Sequence, residues 1–177
     1  MSIKTNLRQM KESDLELVLS WRNHPSIRQF MFSNREIEFE EHRNWFSKSV
    51  NDVFLKLLIF EVDDMPTGFV KLDRFNDGPN CEWGFYLSPE KAPGLGEIFG
   101  KTVLDYVFLT LKYYKVSGQV LGDNIRSIKF HQKLGFRQEG VLRDQHFNKV
   151  GFQSIVCFGL LAKEWEGDLD GGIDDIA

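Results

Sequence analysis

Cysteine is scarce in this sequence of 177 residues, which contains only Cys81 and Cys157. They form no Cys-x-x-Cys pair, and neither has a histidine nearby at the spacing of metal ligands. A disulfide framework and a structural zinc site are therefore excluded as the basis of the fold, and we expect no metal. This sparing use of cysteine is typical of a reducing compartment, so the expected location is the cytoplasm.

Long apolar runs and a strong basic excess are also missing. No stretch approaches the ~18 residues of a membrane-spanning helix, and residues 1–10 lack the apolar segment of a secretory signal. The net charge is −4, but residues 164–177 hold six acidic and no basic residues, so residues 1–163 carry +2. This balance suits a small phosphorylated ligand, and we expect neither a nucleic-acid nor a membrane partner.

The remaining composition is that of an ordinary globular domain, with 42% hydrophobic and 14% aromatic residues. No repeat or low-complexity linker divides the chain. We therefore predict a single domain over residues 1–165, followed by an acidic, loose tail over residues 166–177.

Apolar periodicity and turn residues predict the order of the elements. The first helix is expected to begin at a capping box of Ser13 and Glu16 and to end before Pro25. The other predicted elements are strands over residues 3–9, 54–62, 69–75, 82–87, 116–121, 137–147 and 152–161, and helices over residues 38–49, 95–112 and 124–134. This order indicates a mixed α/β (α+β) domain around a central sheet.

A glycine-containing segment, Lys91-Ala-Pro-Gly94-Leu95-Gly96-Glu97, connects a predicted strand to the long helix. Glycines let backbone N–H groups approach an anion, and a helix N-terminus adds partial positive charge. The segment is not a P-loop, because no Gly-Lys-Ser/Thr ends it. By itself it indicates equally a pyrophosphate site or a tight turn.

A second segment runs from Asn124 through Ser127, Phe130 and His131 to Gly135-Phe136. Alone it predicts a helix capped by Asn124 and ended at Gly135. Taken together, Lys91-x-x-Gly94-x-Gly96 and Asn124-x-x-Ser127-x-x-Phe130 with Gly135-Phe136 resemble the cofactor motifs of the Gcn5-related N-acetyltransferase (GNAT) superfamily. The resemblance covers residues 3–165.

This resemblance implies a GNAT fold, in which a mostly antiparallel sheet splays between strands 4 and 5 and is flanked by helices. It implies acetyl-CoA as co-substrate, with its pantetheine arm on the fourth strand and its pyrophosphate on the amides that open the long helix. The implied cofactor-binding residues are Phe85, Leu87, Lys91, Gly94, Leu95, Gly96, Glu97, Asn124, Ser127 and Phe130.

The N-terminal helices carry Trp21-Arg22-Asn23-His24-Pro25, then Met31-Phe32, then His42 with Trp45. This set resembles the sugar-nucleotide N-acetyltransferases of pseudaminic acid biosynthesis (the PseH type). The resemblance implies acetylation of the 4-amino group of a UDP-linked 4-amino-4,6-dideoxy sugar. The implied substrate-binding residues are Arg22, Met31, Phe32, His42, Trp45 and Lys71.

Other functions stay open. The segment Glu139-Gly-Val-Leu-Arg143 is shared with ribosomal-protein acetyltransferases of the RimL type, so a protein N-terminus is an alternative acceptor. A catalytically silent acyl-CoA-binding module is a third reading. The expected partner is a small nucleotide sugar, and a homodimer is left open.

Acetyl transfer to an amine needs a base for the amine and a proton for the departing thiolate. His131 stands where many superfamily members have a Tyr that acts as this acid. An imidazole titrates near ~6.5 and a thiol near ~8.5, so His131 is a candidate acid. The alternative is that His131 only packs or hydrogen-bonds beside the cofactor and that water supplies the proton. Glu82 is the candidate base, acting through water, and its alternative is an ordinary exposed strand carboxylate.

Overall fold

The computed structural model describes residues 3–165, and within this range seven strands form one sheet in the order β1-β2-β3-β4-β5-β7-β6. The strands are β1 (Thr5–Gln9), β2 (Leu55–Val62), β3 (Met65–Arg74), β4 (Asn80–Leu87), β5 (Lys115–Leu121), β6 (Arg137–Asn148) and β7 (Gly151–Leu161). The helices are α1 (Leu15–Asn23), α2 (Pro25–Arg28), α3 (Phe39–Ser49), α4 (Leu95–Asp105), α5 (Ile125–Lys133) and α6 (Ala162–Trp165). The acidic tail expected over residues 166–177 lies outside the described residues.

The predicted mixed α/β class and the order of the elements are confirmed, but two local predictions are wrong. The long helix ends as an α-helix at Asp105 and continues as a π-helical turn over Tyr106–Thr110. The capping box of Ser13 and Glu16 does not form, and α1 begins at Leu15 instead. The carboxylate of Asp14 accepts the Lys11 N–H at 2.8 Å and also pairs with Arg8, so it organises this turn through a contact that local sequence does not reveal.

The sheet splays between β4 and β5, as expected. In the described chain these strands form the one parallel pair, and they are paired only from Asn80↔Lys115 to Glu82↔Ser117. Beyond Glu82 the strands are no longer paired, while β4 stays hydrogen-bonded to β3 as far as Leu87. A cleft therefore opens between β4 and β5 on the carboxyl side of Glu82.

The two faces of the sheet pack against different helices, because successive side chains of a strand point to opposite faces. On β4, Trp83 and Phe85 join a core with Phe99 of α4. Tyr86 packs instead against a second core that includes Trp21 and Phe46. Beside the cleft, α4 and α5 thus cover one face of the sheet, and α1 and α3 cover the other. No helix in the described range is long and apolar enough to cross a membrane.

Candidate active site

One cavity of about 660 Å³ occupies the cleft and extends from α5 to the N-terminal helices. It brings together fifteen of the eighteen residues proposed from the sequence for cofactor, acceptor and catalysis. They are Arg22, Met31, Phe32, His42, Trp45, Lys71, Glu82, Phe85, Leu87, Lys91, Gly96, Asn124, Ser127, Phe130 and His131. The other three, Gly94, Leu95 and Glu97, surround Gly96 but are not among the residues that line the cavity.

At one end the cavity is lined by Gly96, which lies in the first turn of α4. Gly94 has φ 87°, a left-handed conformation that L side chains rarely adopt, and it lets the chain turn directly into the helix. The side chain of Leu95 is buried in the core, and the Glu97 carboxylate pairs with Lys101 and Lys133. The side chains of Leu95 and Glu97 therefore have other contacts, and an anion at this turn would be bound by its backbone amides.

Two cations stand at the same end of the cavity. Lys91 and Arg126 both line it, and neither forms an ion pair within the described chain. Burial lowers the pKa of Lys91, and the nearby charge of Arg126 lowers it further. Sequence analysis missed Arg126, although its place two residues after Asn124 in the first turn of α5 is a usable signal. The cap itself is confirmed, since Asn124 Oδ1 accepts the Ser127 N–H at 3.1 Å.

At the other end, the Trp-Arg-Asn-His-Pro motif shapes the wall of the cavity. The Asn23 side chain makes two hydrogen bonds with the main chain of Ile37: its amide donates to the carbonyl at 2.8 Å, and its oxygen accepts the N–H at 2.9 Å. His24 caps α2 by accepting the Ser26 N–H, and Pro25 occupies the first helical position. The motif thus holds residues 30–37 against α1, a role for Asn23 that sequence analysis missed.

Arg22 and His42 contribute unsatisfied polar atoms to this end. Arg22 Nη2 donates to the Ser33 carbonyl, whereas Nη1 is buried without a hydrogen-bond partner in the described chain. His42 is 4% exposed and stacks on Trp45 with ring centroids 5.0 Å apart, and its Nε2 is likewise unpartnered. Burial lowers the pKa of His42, and the charge of Arg22 lowers it further, which favours the neutral form of the imidazole. Unsatisfied buried groups of this kind call for a polar ligand.

Glu82 occupies the point at which the cleft begins. It is the last β4 residue paired with β5, and it lies opposite Asp73 on β3. Burial raises the pKa of its carboxyl; Lys71 lowers that pKa and Asp73 raises it. Lys71 is itself paired with Asp73 at 3.0 Å. The result is a carboxylate that holds a proton more readily than an exposed one, which favours the base over the alternative of an ordinary surface carboxylate.

His131 lies at the base of the cleft and is 2% exposed. Its Nδ1 is 2.8 Å from the Ser127 carbonyl oxygen, and its Nε2 is 3.1 Å from the indole nitrogen of Trp83. Both ring nitrogens are therefore engaged within the protein. This arrangement favours the alternative in which His131 packs and hydrogen-bonds beside the cofactor over the one in which it is the acid.

Further aromatic residues of the acceptor end were missed from the sequence. Tyr86 lies 5.2 Å from Phe69 between ring centroids, and Phe69 in turn contacts Trp45 at 6.1 Å. Burial raises the pKa of the Tyr86 hydroxyl, so it remains protonated. Alternation along β4 places Tyr86 on the face of Glu82, and that periodicity is the signal that could have identified it. Within residues 3–165, no group of three or more His, Cys, Asp or Glu side chains could hold a metal ion.

The parallel strand pair that opens into a cleft, with a helix N-terminus and two cations at one end, forms a site suited to a phosphorylated cofactor. Residues 4–137 match the family described as an acetyltransferase (GNAT) domain. The chain belongs to the GNAT acetyltransferase family, and it is therefore an N-acetyltransferase that takes acetyl-CoA as co-substrate.

The chain is similar to several named acetyltransferases, some of which are named for spermidine. The chain is 30% identical over 131 residues to acetyltransferase PseH of Campylobacter jejuni (strain 81-176), covering 74% of this chain and 82% of that protein. It is 29% identical over 152 residues to spermidine N(1)-acetyltransferase of Escherichia coli K12, covering 85% of this chain and 82% of that one. The structure of spermidine N-acetyltransferase from Vibrio cholerae in complex with CoA and spermine superposes with a TM-score of 0.84 at 22% identity, over 91% of this chain and 97% of that one. This last likeness concerns the fold.

Proposed function

We propose that this enzyme acetylates the 4-amino group of a UDP-linked 4-amino-4,6-dideoxy sugar, as in pseudaminic acid biosynthesis. The observation that carries the proposal is the pair of unpartnered buried atoms, Arg22 Nη1 and His42 Nε2, in one cavity. A guanidinium N–H is a donor that suits a phosphate oxygen, and a neutral imidazole nitrogen suits a phosphate or a sugar hydroxyl. The similarity to PseH supports the same class of acceptor.

The aromatic wall supports this acceptor as well. Trp45, Phe69 and Tyr86 form a continuous set of rings beside Arg22 and His42. Flat rings stack on a uracil base or on the apolar face of a sugar, while the polar atoms orient the diphosphate. Phe32, which is half exposed, lies at the mouth of the cavity with its ring edge-on to His146 of β6.

A polyamine is the second candidate, and two acidic residues favour it. Glu41 and Glu82 both line the cavity, and carboxylates attract a polycation. Glu41, however, is paired with Arg35, and the same cavity holds Arg22 and Lys71. A polyamine would leave the Arg22 Nη1 donor unpartnered and place cations together, whereas a diphosphate satisfies that donor.

In the proposed reaction the sugar amine attacks the thioester carbonyl carbon directly. Glu82 takes the amine proton through a water molecule, and Gln119, which lines the cavity on β5, helps to orient that water. The carbon–sulfur bond then breaks, and CoA leaves as a thiolate that takes a proton from water. The raised pKa of Glu82 suits this role, because a base works best when its pKa lies near the working pH.

The test is turnover of acetyl-CoA with four amines: the UDP-linked 4-amino sugar, the same sugar without UDP, spermidine, and a peptide with a free N-terminus. We expect turnover of the first and a much higher KM for the second, since the second lacks the diphosphate. Efficient turnover of spermidine or of the peptide, with none of the nucleotide sugar, would show that the proposal is wrong and that the amine turned over is the acceptor.

Arg22 is tested in the same assay. Arg22→Ala is expected to raise the acceptor KM by ~10²-fold and to leave the affinity for acetyl-CoA unchanged, because the charge-assisted contact of Nη1 is lost only from the acceptor. Arg22→Lys should recover little, because an ammonium lacks the planar fork that lets Nη2 bind the Ser33 carbonyl while Nη1 binds the acceptor. Arg28→Ala is the matched control: Arg28 pairs with Glu36 on the same side of the protein but does not line the cavity. Equal effects at Arg22 and Arg28 would contradict a contact with the acceptor.

A further inference from the structure

A hydrogen bond joins the two walls of the cleft at its base. Trp83 is the first β4 residue beyond the last pair with β5, and its indole N–H donates to His131 Nε2 at 3.1 Å. His131 belongs to α5, the helix that follows β5. The bond thus spans the place where the sheet has separated, and both side chains are buried there, Trp83 at 3% and His131 at 2% exposure.

The partners of His131 fix where its proton resides. An indole nitrogen can only donate and a carbonyl oxygen can only accept. Nε2 is therefore the acceptor of the Trp83 N–H, and Nδ1 carries the proton that is donated to the Ser127 carbonyl oxygen. A second proton on Nε2 would face the indole N–H and break the bond. The ring is held neutral and has no proton free for a leaving thiolate.

The bond has a fixed place because its surroundings are close-packed. A Cβ atom on Gly118 of β5 would lie 2.8 Å from Trp83 Nε1 and 2.9 Å from His131 Nε2, so only glycine leaves room for the pair. The indole stacks on Phe136 at 5.0 Å, and the imidazole stacks on Phe158 at 4.9 Å. Neither ring can turn toward the cleft without displacing an aromatic neighbour.

We propose that His131 is a positioning residue, which accepts the Trp83 N–H above Gly118 and thereby fixes the separation of β4 from α5 where acetyl-CoA enters. In this role it acts on the reaction through Trp83 and β4, and it transfers no proton. Trp83 and His131 both line the cavity. Phe85 packs against both rings, so the position of the two rings also determines the position of the part of β4 that flanks the open cleft. The inference depends on acetyl-CoA as the co-substrate and not on the identity of the acceptor.

The roles of positioning and of acid catalysis differ in their effect on the affinity for acetyl-CoA. A residue that sets the width of the cleft contributes to binding of the ground state. A general acid acts as the thiolate forms, so its loss lowers kcat by ~10²–10⁴-fold and leaves ground-state binding intact. Calorimetric titration with acetyl-CoA in the absence of an acceptor therefore separates the two.

Three variants separate acceptance of the indole N–H from transfer of a proton. His131→Gln places an amide oxygen near the position of Nε2 and can accept the indole N–H, but it does not titrate. His131→Leu has a similar volume and no acceptor. Trp83→Phe keeps a ring against Phe136, leaves His131 untouched and removes only the N–H and part of the ring system. Thermal unfolding of each variant verifies that it is folded.

We expect about a 10-fold loss of affinity for acetyl-CoA in Trp83→Phe and in His131→Leu, with most of it retained in His131→Gln. The double variant Trp83→Phe/His131→Leu should be no weaker than either single variant, because both remove the same bond. Unchanged affinity in Trp83→Phe and His131→Leu would overturn the proposal. So would a kcat at saturating acetyl-CoA that falls by ~10²-fold or more in both His131→Gln and His131→Leu, measured with the acceptor that the amine panel identifies, because that loss is the one expected of a general acid.

Discussion

The helix N-terminus at Gly96 allows a test of cofactor binding in which only a charge changes. A Cβ atom on Gly96 would meet only the Phe130 ring, at 3.8 Å, which is an ordinary van der Waals contact. Gly96→Asp and its isosteric control Gly96→Asn should therefore both fold. Gly94 does not offer this opportunity, because its φ of 87° strains any other residue.

The magnitude follows from simple electrostatics. At an effective dielectric constant of about 20, two like unit charges about 4–5 Å apart repel by about 3–4 kcal/mol. Each 1.4 kcal/mol is a factor of ten in affinity, so Gly96→Asp should weaken CoA binding by about 10²–10³-fold relative to Gly96→Asn. Lys91 and Arg126 remain in place in both variants and cancel from the comparison.

The assay is calorimetric titration with CoA at low and at high salt. We expect the gap between the Asp and Asn variants to narrow as salt rises, because counterions screen the repulsion. Equal affinities of the two variants at low salt would refute the argument, since they would show that the pyrophosphate lies elsewhere. A loss in both variants with no gap between them would assign the effect to the side chain's volume instead of its charge.

Two further predictions concern carboxylates. Glu82→Gln should lower kcat by about 10²–10⁴-fold and remove the acidic limb of the pH profile of kcat/KM. In the native enzyme this limb should lie above the ordinary range of a glutamate, because burial raises the pKa of Glu82. A native-like profile in this variant would exclude Glu82 as the base. Burial tends to raise the pKa of Asp14, but hydrogen bonds from Arg8 and the Lys11 amide outweigh it and hold that pKa below its ordinary value. The stability this contributes is present above the unfolded-state pKa near ~3.9 and is lost as the pH falls through the folded-state value. Asp14→Asn should then reduce the free energy of unfolding at pH 7 by about 1.5–3 kcal/mol, with little difference at low pH, as denaturant unfolding would measure. Asp64→Asn is the control, because its pair with Lys4 is exposed and should contribute little; equal losses in the two variants would contradict the burial argument.

Much of the fold could be predicted from the sequence because the signals are local. Alternating apolar residues define the strands, and turn residues such as those between β2 and β3 separate them. Asn124 caps α5 and Gly135, with φ 88°, ends it, both as expected from the residue types alone. The π-helical turn after Asp105 was not predicted, because its apolar spacing is that of an ordinary helix.

The members of the site could also be predicted, but their roles depend on contacts between distant parts of the chain. The hydrogen bond between Trp83 and His131 joins residues 48 positions apart, and the Arg8 pair with Glu61 spans 53. A motif indicates that a histidine stands near the cofactor, but the direction in which its nitrogens point is decided by the partner that tertiary packing supplies.

The sequence by itself thus determined the elements and the order in which they follow, and its resemblance to the GNAT superfamily indicated which residues meet at the cleft. Only the tertiary structure decided what those residues can do. Burial and neighbouring charges raise the pKa of Glu82, and packing leaves Arg22 Nη1 and His42 Nε2 without partners. The physical reason is that pKa values and unsatisfied hydrogen bonds depend on desolvation and on atoms within a few ångströms, which come from segments far apart in the chain.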